Sequence, residues 1–132
     1  MTNASRHVLV LLAHGSRHPV PPQEIAALAA DLQRAQPNAT VRYAFLDMLT
    51  PTLPEVIAEA ATSAAAQITV LPLFLNTGYH VTRDVPAMIA DARRRYPAVC
   101  FVTLRHIGAH PGYAALVHDM AAHPEQHRAE TP

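Results

Sequence analysis

Four short apolar runs divide this chain, and the segments between them repeat their apolar residues at helical spacing. That alternation limits the fold more than any other feature. Val8 to Ala13 is apolar without a break, as expected of a strand covered on both faces. Val41, Tyr43 and Phe45 alternate with Arg42 and Ala44 as a second strand, Ile68 to Leu75 is a third, and Val99 to Leu104 a fourth. Pro72 is awkward inside a central strand and predicts a bulge or an early bend there.

Pro21 and Pro22 open a helix using Ile25, Leu28, Ala29 and Leu32. Thr52 and Glu55 make a capping box for a second helix with Leu53, Val56, Ile57, Ala60 and Ala64, and Thr50 before Pro51 is an equally good start. Val85, Met88, Ile89 and Ala92 mark a third, ending in Arg93, Arg94 and Arg95, which suit the negative end of a helix dipole. Tyr113 to Ala122 is the last, with Leu116, Val117 and Met120 expected to face inward. Strands separated by helices need crossovers, so the expected fold is α/β: one domain over residues 1–132, with a four-stranded parallel sheet and helices on both faces. Residues 7–122 form its ordered core, and the polar tail from His123 is expected to fray.

Composition excludes several kinds of chemistry. Ten basic residues balance ten acidic ones, which argues against a general affinity for nucleic acid or an anionic membrane. All ten basic residues are Arg, so Schiff-base chemistry and the lysine of a P-loop are excluded. A single cysteine, Cys100, rules out an internal disulfide or a Cys-rich zinc site and reads as a small buried hydrophobe. The start of the chain carries no cleavage signal and no apolar run nears the roughly 20 residues of a membrane span, so a cytoplasmic protein is expected.

Ligands of an open parallel sheet bind beyond the carboxyl ends of its strands. Each strand here delivers a titratable group to that edge: His14 in Ala13-His14-Gly15-Ser16-Arg17, Asp47 after Phe45-Leu46, His80 in Gly78-Tyr79-His80, and Arg105-His106. Two imidazoles and a carboxylate suit a divalent transition metal such as Fe²⁺, Co²⁺, Ni²⁺ or Zn²⁺, and imidazoles also accept protons near neutral pH. A lone histidine at a strand end is commonly a hydrogen-bonded loop residue, and His106 is read that way. His14 and His80, each close to a glycine, are read as functional. Asp47 is read as functional too, ahead of a helix-capping or strand-end carboxylate. Arg17, Arg83 and Arg105, each alone a solvated charge, together suggest an anionic ligand.

The segment Val10-Leu11-Leu12-Ala13-His14-Gly15-Ser16-Arg17 and the stretch Leu71 to Pro86 (LPLFLNTGYHVTRDVP) resemble the small class II chelatases, the sirohydrochlorin cobalto- and ferrochelatases of the CbiX/SirB type. Ala44-Phe45-Leu46-Asp47 followed by Pro51, and Gly108-Ala109-His110-Pro111, extend the likeness from about His7 to Met120. The resemblance implies insertion of Co²⁺, Fe²⁺ or Ni²⁺ into sirohydrochlorin, in cobalamin or siroheme biosynthesis, with the metal as substrate and no permanently bound cofactor. It implies metal ligation by His14 and His80, with help from Asp47 where the family usually carries Glu. Sirohydrochlorin carries eight carboxylates, giving Arg17, Arg83 and Arg105 a use beside Ser16, Gly78 and Tyr79. The half-size members of the family act as homodimers, so a homodimer is implied, with no nucleic-acid or membrane partner.

Two other readings compete. A non-catalytic metal carrier would use the remaining histidines (His106, His110, His118, His123, His127) to sequester metal. A phosphohistidine-type phosphatase is suggested by His14-Gly15 and the arginines, but such enzymes prefer Arg directly before His-Gly, and Ala13 stands there.

Overall fold

The computed structural model describes residues 6–15 and 22–129. Four strands, β1 (His7–Ala13), β2 (Thr40–Phe45), β3 (Gln67–Pro72) and β4 (Cys100–Thr103), alternate with helices α1 (Gln23–Ala35), α2 (Leu53–Thr62), α3 (Tyr79–Arg95) and α4 (Gly112–Ala122). A single 3-10 turn, Ile107–Ala109, precedes α4. The fold is the expected α/β arrangement, with all strands parallel in the order β2-β1-β3-β4. β3 ends at Pro72, which has no N–H to offer β4, while the Leu73 N–H still donates to the Leu12 carbonyl of β1 at 2.8 Å. No described helix is long and apolar enough to cross a membrane.

Strand order decides where the helices go. The chain moves from β1 to β2 in one direction, then returns past β1 to β3 and β4. Right-handed crossovers therefore put α1 on one face and α2 and α3 on the other. The larger core lies under α2 and α3, where Val10, Leu12, Ile68 and Val70 meet Leu53, Val56, Val85 and Ile89. A smaller one joins Leu11 and Phe45 to Ile25 and Ala29 of α1. At the start of α2 the Thr52 hydroxyl accepts from the Glu55 N–H at 3.4 Å and donates to the Glu55 carboxylate at 3.1 Å, so Thr52 rather than Thr50 caps that helix. The three arginines close α3, and Arg95 reaches Asp91 at 3.0 Å.

Two expectations fail, for one reason. Leu116, Val117 and Met120 of α4 do not face inward: they are 57%, 49% and 46% exposed. Cys100 is exposed rather than buried. α1 packs over β1 and β2, while the most extensive neighbour of α4 is the 3-10 turn. The α1 face of the sheet therefore has no helix over β3 and β4, where alternation along β4 places Cys100, Val102 and Leu104.

Candidate functional site

The order β2-β1-β3-β4 reverses between β1 and β3, which makes the gap at their carboxyl ends the topological switch point of the sheet. His14 follows β1 at this point, with its exposed ring against Phe74, just past β3. The ring centroids are 4.6 Å apart at an interplanar angle of 53°. Phe74 is buried, so the imidazole rests on a fixed support. Nothing in the sequence marks that contact.

Asp47 is held beside it by main-chain bonds. The Leu46 N–H donates to the Ala13 carbonyl at 2.8 Å and the Asp47 N–H to the His14 carbonyl at 3.0 Å, which carries the β1–β2 pairing beyond the sheet. The Leu49 N–H donates back to the Asp47 carbonyl at 2.9 Å, closing a three-residue turn about Met48. Met48 there has φ of 73°, a costly backbone for a side chain without local polar atoms. The Asp47 carboxylate accepts from the Met48 N–H at 2.9 Å.

Gly15, at φ of 100°, lies so close to this loop that a Cβ would stand 1.7 Å from the Asp47 carbonyl oxygen. Its lack of a side chain therefore sets the distance between the His14 and Asp47 loops. Gly108 has the same role on the other side of the switch point. It donates to the Phe74 carbonyl at 3.0 Å and leaves no room for a Cβ against Leu75. Gly78 caps α3 with open space beside it.

Among the described residues, His14, Leu46, Asp47, Asp84 and Met88 line a cavity of about 230 Å³. Asp84 was not singled out in the sequence, although it stands four residues after His80 and so on the same face of α3. That spacing was the available signal. Tyr79 and His80 open α3, but their side chains lie outside the described residues, as do Ser16 and Arg17. Arg83 is exposed on α3, 4.0 Å from the Asp84 carboxylate. Arg105 does not join His14 and Asp47: it lines a separate, mostly apolar cavity of about 480 Å³ with Leu71, Leu104 and the turn that follows. A cavity of about 290 Å³ between α2 and α3 lies away from the strand ends.

Among the described residues no group of three His, Cys, Asp or Glu side chains is arranged to hold a metal. Several of the other histidines have local partners. His7 Nε2 is 3.1 Å from the Thr69 hydroxyl, His110 Nδ1 accepts from the Gly112 N–H at 2.8 Å, and His123 and His127 both meet Asp119.

Comparison with known proteins matches this arrangement. Residues 8–123 fit the CbiX family model. A sirohydrochlorin cobaltochelatase of Methanopyrus kandleri is 36% identical over 81 residues, covering 61% of this chain and 57% of that protein. The one of Methanocaldococcus jannaschii is 33% identical with the same coverage, so the matched stretch spans little more than half of either relative. The crystal structure of a CbiX protein from Marinobacter aquaeolei superposes with a TM-score of 0.70 at 27% identity, covering 93% of this chain and 99% of that one. The sirohydrochlorin chelatase SirB of Bacillus subtilis subspecies spizizenii, in complex with cobalt, gives 0.71 at 28% identity, covering 89% of this chain and 50% of SirB. A family match across nearly the whole described chain, on the same fold, makes this protein a member of the CbiX family.

Proposed function

We propose that this chain, acting as one domain, inserts a divalent metal ion into sirohydrochlorin. The observation that carries this reading is the cavity at the switch point, lined by His14, Asp47 and Asp84, in a chain of the CbiX family. Relatives named as sirohydrochlorin cobaltochelatases support cobalt as the metal, and a SirB structure with Fe³⁺ supports iron; Ni²⁺ belongs to the same ligand chemistry.

In this reading His14 and His80 hold the incoming ion, and Asp47 assists. Asp84 adds a second negative charge, which favours a dication in a partly enclosed site. Few ligands and open coordination positions keep the ion transferable, whereas a closed four-ligand site would retain it. Insertion displaces two pyrrole N–H protons for each dication, and the imidazoles and carboxylates of the cavity are the groups at hand to receive them. The carboxylate arms of the macrocycle are taken by Arg17 and Arg83, with Ser16, Gly78 and Tyr79 alongside. Arg105, two strands from β1 and so roughly 10 Å along the edge, meets an arm on the far side.

A cavity of about 230 Å³ is too small to enclose such a ligand, since sites for much smaller molecules occupy roughly 300–1,000 Å³. A second wall is needed. We assign it to a second copy of the chain, in a homodimer working in the cytoplasm; half of each matched SirB chain lies beyond the region this chain covers. The test is an anaerobic assay with sirohydrochlorin and Co²⁺, Fe²⁺ or Ni²⁺ in turn, followed by the absorbance of the metallated ring. Repeated turnover with at least one metal, lost in His14→Ala, is expected. Stoichiometric metal binding with no metallated product would overturn the reading and leave a carrier.

A further inference from the structure

Two cavities stand along the carboxyl edge of the sheet, and they differ in charge. The one at the switch point carries Asp47 and Asp84. The one beyond β4 has apolar walls that include Leu71 and Leu104, with Arg105, His106 and His110 as its polar residues and no acidic one. Among the described residues no carboxylate pairs with Arg105. The first cavity suits a dication. The second suits an anion that brings an apolar stem with it.

His110 is prepared for such an anion. Its Nδ1 accepts from the Gly112 N–H at 2.8 Å, so the neutral ring carries its hydrogen on Nε2 and offers it as a donor. Gly112 leaves room for that bond, since a Cβ there would stand 3.0 Å from Nδ1 and 3.2 Å from Cε1. The turn that presents the ring is also fixed. The Ala109 N–H donates to the His106 carbonyl at 2.9 Å and the His110 N–H to the Ile107 carbonyl at 3.1 Å. The Gly108 N–H, in the same turn, donates to the Phe74 carbonyl at 3.0 Å. Phe74 therefore ties the two positions together, its ring against His14 and its carbonyl on the turn before His110. Leu75, the next residue, lies against Gly108 and leaves its apolar side chain 54% exposed.

We propose that His110 and Arg105 together bind one carboxylate arm of the macrocycle, whose methylenes lie against Leu71 and Leu104. The assignment rests on sirohydrochlorin as the ligand, as proposed above, and adds a residue that selects it. Ring nitrogen, ring carbons and a short arm, at about 1.5 Å for each single bond, set a carboxylate roughly 7–9 Å from the bound ion. β1 and β4 stand two strand spacings apart, about 10 Å, and the arginine side chain spans the rest. A macrocycle without a carboxylate at that position leaves both donors unanswered beside apolar walls, and is rejected for that reason.

The test follows binding of metal-free sirohydrochlorin to the full chain by fluorescence, with metallation measured separately. His110→Ala should weaken binding and raise KM about tenfold or more, as expected for a lost hydrogen bond to a charged group, with kcat and Co²⁺ binding within about twofold. His110→Gln, whose amide N–H replaces the lost donor, should recover binding to within about threefold. His123→Ala, just past α4, is the control and should match the parent. A free small acid carries the same carboxylate chemistry, so propionate and hexanoate are titrated against sirohydrochlorin on the parent, an experiment that needs no variant to fold. Competition no tighter than about 1 mM is expected, because a fragment of one arm makes few contacts. Micromolar binding of either acid would overturn the arm and make the cavity a site for a separate ligand. If His110→Ala holds sirohydrochlorin as tightly as the parent, the assignment falls alone. A parent that does not bind sirohydrochlorin overturns both the assignment and the proposed reaction. A parent that binds it, loses it in His110→Ala and never metallates it supports the assignment and overturns the reaction.

Discussion

Replacing Gly15 by alanine tests the frame of the candidate site at its tightest point. The added methyl would stand 1.7 Å from the Asp47 carbonyl oxygen, and real Cβ contacts essentially never fall below 3.0 Å. The obstacle is main chain, so no rotamer change relieves it: the Asp47 loop must retreat by more than an ångström. Moving it strains the bonds from Leu46 and Asp47 to Ala13 and His14, and alanine must also adopt a φ of 100°. An unfavourable backbone region alone costs about 1–3 kcal/mol. With the displaced loop the total should reach about 3 kcal/mol, which lowers a urea midpoint by roughly 2 M at an m-value of ordinary size. Metallation should fall with it, because Asp47 moves away from His14. Gly78→Ala is the control: nothing lies within 4 Å of its Cβ, and the exchange at that helix cap should cost under about 1 kcal/mol. Equal midpoints for Gly15→Ala and the parent, or equal losses for the two variants, would refute the argument.

His14→Ala and His80→Ala should each abolish metallation with circular dichroism unchanged, and Asp47→Ala should lower the rate roughly 10–100-fold; near-normal turnover in either histidine variant would remove that residue from the site. Metal binding, followed by calorimetry, should weaken steadily from about pH 8 to about pH 5 because ligand imidazoles must be neutral, and a flat profile would assign the ion to carboxylates alone. Arg42 grips Glu59 through two bonds, of 2.6 and 2.9 Å, which hold its carboxyl below the usual range. The small stabilisation from that pair is present above the unfolded-state value and lost as pH falls through the lowered folded one. Glu59→Gln should therefore lower the urea midpoint at pH 7 and match the parent in strong acid; an equal deficit at both would show that packing, not charge, is responsible.

Much of the fold is legible in the residues because each strand is a short apolar run and each intervening helix shows its own period. The end of β3 at Pro72 and the cap at Thr52 are written in local chemistry. The position of α4 is not. A helix whose apolar residues lie on all sides carries no information about which surface it covers, so the expectation that Leu116 and Met120 turn inward had nothing to correct it. Cys100 was misread with it, since burial of that strand depended on the same helix. The strand-end rule brings His14, Asp47 and Arg105 to one edge, but it is silent on distance along that edge. Arg105 belongs to β4, and the order β2-β1-β3-β4 puts it one strand beyond the switch point, beside another cavity. Phe74 beneath His14 and the fit of Gly15 against Asp47 depend on neighbours far apart in sequence, which periodicity does not register.

The contacts that hold the His14 and Asp47 loops in place are almost all main chain: carbonyls, N–H groups and glycines with no side chain to lose. Such a scaffold separates position from identity. Other donors could replace the imidazole or the carboxylate, and the loops that present them would keep their spacing. If the proposed function holds, single substitutions at the tips would change which metal this edge accepts, while the glycines beneath remain fixed. The same property makes the edge a ready platform for directed evolution toward metals its relatives do not insert.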